Sequence, residues 1–98
     1  MNNMSYDRFF INFASKERLE ILTLLKNKPM NVTEIVEKLG KEQSRVSHNL
    51  KKLLTCNLVK VKQEGKKRIY SLNPDTVLPI LNLAKKHVQT FCPGGCNK

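Results

Sequence analysis

Three groups of residues in this chain have the types and spacing to do chemistry. The first is the run Gln43-Ser44-Arg45-Val46-Ser47-His48-Asn49-Leu50-Lys51-Lys52, and the second is Lys66-Lys67-Arg68. The third is the set of cysteines, Cys56, Cys92 and Cys96. Amide, hydroxyl and imidazole groups such as Gln43, Ser44, Ser47 and His48 can exchange hydrogen bonds with the edges of bases. Arg45, Lys51, Lys52, Lys66, Lys67 and Arg68 are cations suited to phosphate, which fixes register and supplies most of the affinity. Thiolates take soft metal or metalloid ions, or oxidise reversibly. Cys92 and Cys96 bracket Pro93-Gly94-Gly95, a turn-forming insert that could bring two sulfurs together. An enzyme is not expected, because the chain has no Gly-rich phosphate loop, no nucleophile motif and no acidic cluster for a catalytic metal.

Charge supports a polyanionic partner. Eighteen Lys and Arg against eight Asp and Glu give a net charge of +10. Nine basic and two acidic residues lie between Lys41 and Arg68, so +7 is concentrated in 28 positions, as a binding face requires. A length of 98 residues suits one compact domain, residues 1–98, with 92–98 expected as a flexible cysteine-bearing tail. No stretch approaches the roughly 18–20 apolar residues of a membrane span. The N-terminal Met1-Asn2-Asn3-Met4 lacks the basic and apolar parts of a signal peptide. With an odd number of cysteines besides, a reducing cytoplasm is the expected setting.

The elements that must position these groups can be read from caps and periodicity. Ser5 is a cap for a first helix to about Phe13, with Phe9, Phe10 and Phe13 as its apolar side. Ser15 caps a second, carrying Leu19, Ile21, Leu22 and Leu25 and ended by Asn27-Lys28-Pro29. Asn31 and Glu34 form the pattern of a capping box for a third, with Val32, Ile35, Val36 and Leu39 inward and Gly40 as its stop. A fourth helix is predicted from near Glu42 to Thr55, with Val46, Leu50, Leu53 and Leu54 inside. Leu58–Lys62 and Lys67–Leu72 flank a Gly65 turn as a hairpin. A last helix follows Asn73-Pro74-Asp75, with Val77, Ile80, Leu81, Ala84, Val88 and Phe91 on one side; Pro79 would kink it if it began as early as Pro74. The third and fourth helices about a Gly40 turn are a helix-turn-helix pattern whose second member enters a DNA major groove. The fold class is thus mainly α with a small β-hairpin, about five helices and two strands.

From Gln43 to Leu53 the sequence resembles the recognition helix of the ArsR type of metal-sensing repressors. Leu58-Val59, Glu64-Gly65-Lys66 and Ile69-Tyr70-Ser71-Leu72 resemble that family's wing, and Glu17–Leu22 and Leu39-Gly40 fit its earlier helices. The resemblance covers residues 5–91. It implies a winged helix-turn-helix repressor, a homodimer paired through the first and last helices on an inverted-repeat operator of double-stranded DNA, released by an inducer. Glu42 departs from the Ser or Thr common at that helix start. Two of the family's metal sites are absent: Thr33–Leu39 holds no Cys-x-Cys pair, and Asp75 is not followed by the Asp-x-His pattern, only His87 occurring later. Cys56 stands where cadmium- and lead-sensing relatives carry a thiolate, but its companion position is Lys52. Cysteines near the end of the last helix occur in some arsenic-sensing relatives.

For the cysteines two readings stand. Cys92 and Cys96, with Cys56, bind arsenic, cadmium or lead or answer to oxidation; or Cys56 is a small buried residue and the terminal pair a tail. His87 is expected at the surface. Alternatives to an inducible repressor are a winged-helix regulator that senses neither metal nor redox state, and a winged-helix protein-interaction module. A duplex-RNA binder fits less well, since the deep, narrow RNA groove does not admit such a helix.

Overall fold

The computed structural model describes residues 6–92 and Gly94. Along it run helices α1 (Tyr6–Ala14), α2 (Lys16–Leu25), α3 (Val32–Leu39) and α4 (Gln43–Thr55), strands β1 (Val59–Glu64) and β2 (Lys67–Leu72), and helix α5 (Val77–Phe91). The proposed cap Ser5 and the residues Pro93, Gly95 and Cys96 lie outside the described residues.

Local chemistry explains each boundary. One residue, Ser15, both ends α1 and begins α2: its N–H donates to the Ile11 carbonyl (3.0 Å), and its hydroxyl accepts from the Arg18 N–H (3.3 Å). The capping box of α3 is complete, with Glu34 N–H donating to Asn31 Oδ1 (2.9 Å) and Asn31 N–H donating to Glu34 Oε1 (3.0 Å). Gly40 closes α3 in the left-handed conformation at φ 65°. Glu42 occupies the N-cap of α4 without a side-chain capping bond, so only the helix dipole favours its charge there. In the hairpin Glu64 pairs with Lys67 across a two-residue Gly65-Lys66 loop, and Gly65 at φ 63° supplies the positive φ such loops need. β1 begins one residue later than Leu58 and extends two beyond Lys62. Leu58 is instead a buried plug, its N–H donating to the Leu53 carbonyl (2.9 Å) after Asn57 turns the chain at φ 60°.

The core gathers Ile21, Leu22 and Leu25 of α2, Ile35 of α3, Val46, Leu50 and Leu53 of α4, Leu58 and Val59, Tyr70 and Leu72 of β2, and Val77 and Leu81 of α5. A single pair of backbone bonds between Met30 and Tyr70 (3.0 and 2.8 Å) fastens the loop before α3 to the hairpin. Among the described residues, two buried polar ones, Asn12 and Asn49, interrupt the apolar interior, and each is hydrogen-bonded.

The structure corrects the inner face of α4 and details the apolar sides of α1 and α5. Phe9, Phe10 and Phe13 form one aromatic side of α1, their ring centres 5.1 to 6.2 Å apart, with Phe9 and Phe13 packed on the core and Phe10 51% exposed. Leu54 is only half-buried; Asn49 lies on the inner face of α4 beside Val46, Leu50 and Leu53. α5 begins at Val77 rather than Pro74, so Pro79 sits in the first turn, where a backbone N–H would have no intrahelical partner to lose, and no kink is required. On the apolar side of α5, Val77 and Leu81 are buried, Ile80 is half-covered, and Ala84, Val88 and Phe91 are exposed, as an unpaired helix face would be.

Candidate nucleic-acid interface

Helix α4 is held by its inner face against α2, α3 and β1, which leaves Gln43, Ser44, Arg45, Ser47, His48, Lys51 and Lys52 exposed. Helical spacing sorts these into rows. Ser47 and Lys51 face the hairpin, and Ser44, His48 and Lys52 face the start of α2, with Gln43 exposed in the first turn. Each row borders a cleft. On the hairpin side an opening of about 600 Å³ lies between the start of α3, α4 and β2, its rim set by Thr33, Ser47, Lys51, Lys66, Lys67 and Arg68. On the α2 side an opening of about 480 Å³ is bordered by Ser15, Arg18, Ser44, His48 and Lys52. The structure therefore brings together nearly all the residues singled out from the sequence, on one surface with α4 at its centre.

Secondary contacts fix this surface. Gln63 Nε2 donates to the Gly65 carbonyl (2.9 Å) and braces the hairpin tip. The Arg68 guanidinium lies 5.9 Å from the centre of the Tyr70 ring, a cation–π contact that aligns it along β2. Glu34 has its carboxyl held below the ordinary value of 4.5, chiefly by the Asn31 N–H, which outweighs the opposing effect of burial, with Lys28 and Lys67 adding smaller lowering effects. The Arg18 guanidinium donates to Asn12 Oδ1 (2.8 Å), while Asn12 Nδ2 donates to the Arg8 and Phe9 carbonyls (3.2 and 3.1 Å), so α1 is tied to α2 through a buried amide.

Arg45 behaves differently from the other cations. Its guanidinium is paired with Glu17 Oε2 of α2. Asn49 Nδ2 donates to the other carboxylate oxygen, Oε1 (3.2 Å), and to the Arg45 carbonyl (3.0 Å). Sequence reasoning missed Glu17, Asn49 and Asn12 as partners. The only available signal was polar side chains at positions otherwise reading as part of an inward face.

The cysteines are not brought together within the described residues. Cys56 is the C-cap of α4, about 20 Å along the helix from Gln43. It is exposed, which corrects the expectation of a small buried residue: the left-handed Asn57 turns the chain there, and Leu58 takes the buried place. Cys92 is the half-buried C-cap of α5, its N–H bonded to the Val88 carbonyl (3.1 Å). Among the described residues no group of three or more His, Cys, Asp and Glu is disposed to hold a metal. His87 is exposed, as expected, with its ring 5.2 Å from that of Phe91. No described helix is long and apolar enough to cross a membrane.

Comparison with known proteins follows the same geometry. The family model for bacterial regulatory proteins of the arsR family matches residues 15–61, from the cap of α2 through the helix-turn-helix into β1. The chain is 42% identical over 74 residues to the HTH-type transcriptional regulator NmtR of Mycobacterium tuberculosis, covering 76% of this chain and 62% of that one. It is 35% identical over 78 residues to a probable mercury resistance operon repressor of Streptomyces lividans, covering 80% and 62%. The chain thus spans under two thirds of the length of these curated relatives. In fold it is similar to the homodimeric winged helix-turn-helix DNA-binding domain Mb0332 of Mycobacterium bovis, with a TM-score of 0.82, 22% identity and coverage of 100% and 99%. The hairpin of β1 and β2 is therefore a wing, and the chain belongs to the arsR family of bacterial regulatory proteins.

Proposed function

We propose that this chain is a sequence-specific transcriptional repressor that binds an inverted-repeat operator in duplex DNA as a homodimer. The observation that carries the reading is the position of α4 between two basic clefts. A helix of about 10–12 Å diameter fills a major groove about 12 Å wide. The two phosphate backbones that wall the groove then fall against the clefts on either side. Gln43, Ser44, Ser47 and His48 meet base edges. Lys51, Lys66, Lys67 and Arg68 take phosphates on the wing side, and Lys52 and Arg45 on the other. Pairing runs through α1 and α5, whose exposed Tyr6, Phe10 and Ile11 and exposed Leu83, Val88 and Phe91 lack cover in the single chain. The reading is tested by selecting duplexes from a random pool. Gln43→Ala or Ser47→Ala changes the preferred sequence, each base contact being worth about 1–3 kcal/mol. A chain that selects no sequence, or variants with unaltered preference, would refute it.

A second, finer reading concerns release. The relative named for mercury resistance and the exposed Cys56 favour a soft, thiol-seeking signal. Cys92 and Cys96 with Cys56 would hold arsenite, cadmium or lead, or respond to oxidation, and thiols of this kind suit the reducing cytoplasm. Operator complexes titrated with arsenite, cadmium, lead, mercuric ion and a mild oxidant decide the matter. Wild type dissociates while Cys92→Ser/Cys96→Ser holds; equal retention by both under all five excludes these residues as the sensor.

A further inference from the structure

We propose that Glu17 is a built-in counter-anion that competes with DNA phosphate for Arg45 and so holds down sequence-independent binding. The inference rests on the DNA-binding reading above and concerns the α2 side of the same surface. Both oxygens of the Glu17 carboxylate are engaged, one by the Arg45 guanidinium and the other by Asn49 Nδ2. Asn49 is buried and also bonded to the Arg45 carbonyl, so the carboxylate is set in place by a donor that belongs to the interior of α4. Arg45 is different: its side chain is 61% exposed against 30% for Glu17, and it stands at the mouth of the cleft with His48 and Lys52. A guanidinium carries five donors in a planar fork that matches either carboxylate or phosphate oxygens. Arg45 thus has two anionic partners to choose between, one supplied by its own chain and one by the duplex. A phosphate contact made by Arg45 draws its charge away from Glu17 and gives up part of that pairing. That cost is the same whatever the base sequence, because phosphates are the same at every step of the duplex.

The test uses the full chain, a random-sequence duplex and the substitution Glu17→Gln, which keeps an oxygen for Asn49 and removes the charge. Affinity is expected to rise about two- to fivefold, the range for a partly exposed ion pair. The slope of log affinity against log salt is expected to steepen by about one counterion per protomer. In an Arg45→Ala background Glu17→Gln is expected to change neither quantity. A parallel measurement on the wild type follows the Arg45 guanidinium resonances, which must move when duplex is added. Unchanged or weaker binding by Glu17→Gln overturns the proposal. So does an equal gain in the Arg45→Ala background, which would reduce Glu17 to a general negative charge, or an Arg45 signal indifferent to DNA. A wild-type chain that binds no duplex defeats the DNA-binding reading and this proposal with it. A wild type that binds while Glu17→Gln gains nothing defeats the proposal alone.

Discussion

Replacing Lys67 and Arg68 together by alanine should flatten the salt dependence of DNA binding without altering which sequence is preferred. Among the described residues, five exposed cations border the two clefts with no ion-pair partner, namely Lys51, Lys52, Lys66, Lys67 and Arg68. Each phosphate neutralised contributes about 0.9 to the slope of log affinity against log salt, so a fourfold rise in salt weakens each contact by about 3.5-fold. If all five engage in both protomers of a dimer, affinity falls about 10⁵-fold between about 50 and 200 mM salt. Removing two per protomer leaves six contacts and a fall of about 10³-fold over the same interval. Arg68 also lies over the Tyr70 ring, a contact worth about 0.5–1 kcal/mol at an exposed site, which is too little to unfold a domain. Fluorescence anisotropy over a salt series, on the selected operator and on a scrambled duplex, measures both slopes, with a thermal melt confirming the fold. Slopes for the double variant that match wild type, or a weakening confined to one of the duplexes, would show that the wing tip does not contact phosphate.

Other outcomes follow from contacts within the protein. Because the Glu34 carboxyl is held below its ordinary value, its stabilising contribution is complete above about pH 4.5 and disappears as pH falls through the lower folded value. Glu34→Gln should therefore lose less stability than wild type on acidification in urea melts, and parallel pH profiles would contradict this. Asn12→Ala leaves the Arg18 guanidinium without its buried acceptor and should lower unfolding free energy by about 1–3 kcal/mol in denaturant titration. Ala84→Asp/Val88→Asp places charge on exposed positions of α5. It should yield a folded monomer in sedimentation at micromolar concentration, and an intact dimer would place the pairing surface elsewhere.

The fold was legible where local chemistry decides it. Ser15, the Asn31–Glu34 box and Gly40 each mark a boundary by a bond within three or four residues, and the Gly65 turn fixes the hairpin in the same way. The exposed row of α4 could be read because the inward positions Val46, Leu50 and Leu53 leave the remainder no other side. What escaped depends on contacts distant in sequence. Glu17 and Asn49 meet across 32 positions, and Met30 meets Tyr70 across the whole helix-turn-helix, with no periodic pattern to announce either. Arg45 reads as one more cation until Glu17 is placed beside it. Cys56 was misplaced because one left-handed residue, Asn57, decides whether the chain turns the sulfur inward or out.

The shallow seating of α5 has a consequence for how the molecule responds to dilution. Only its first turns are packed, at Val77 and Leu81, and every residue from Asn82 to Phe91 is exposed in the single chain. This exposed run continues a helix already packed at its start, and ten residues held by backbone bonds alone gain little stability in water, so a surface covering them would add to their order. In the proposed homodimer, order in this segment is coupled to association. Ellipticity should climb as protein is concentrated, and amides beyond Leu81 should exchange at a rate set by the subunit dissociation constant rather than by the stability of the core. The far end of α5 would then report, in its own helicity, how much partner is present.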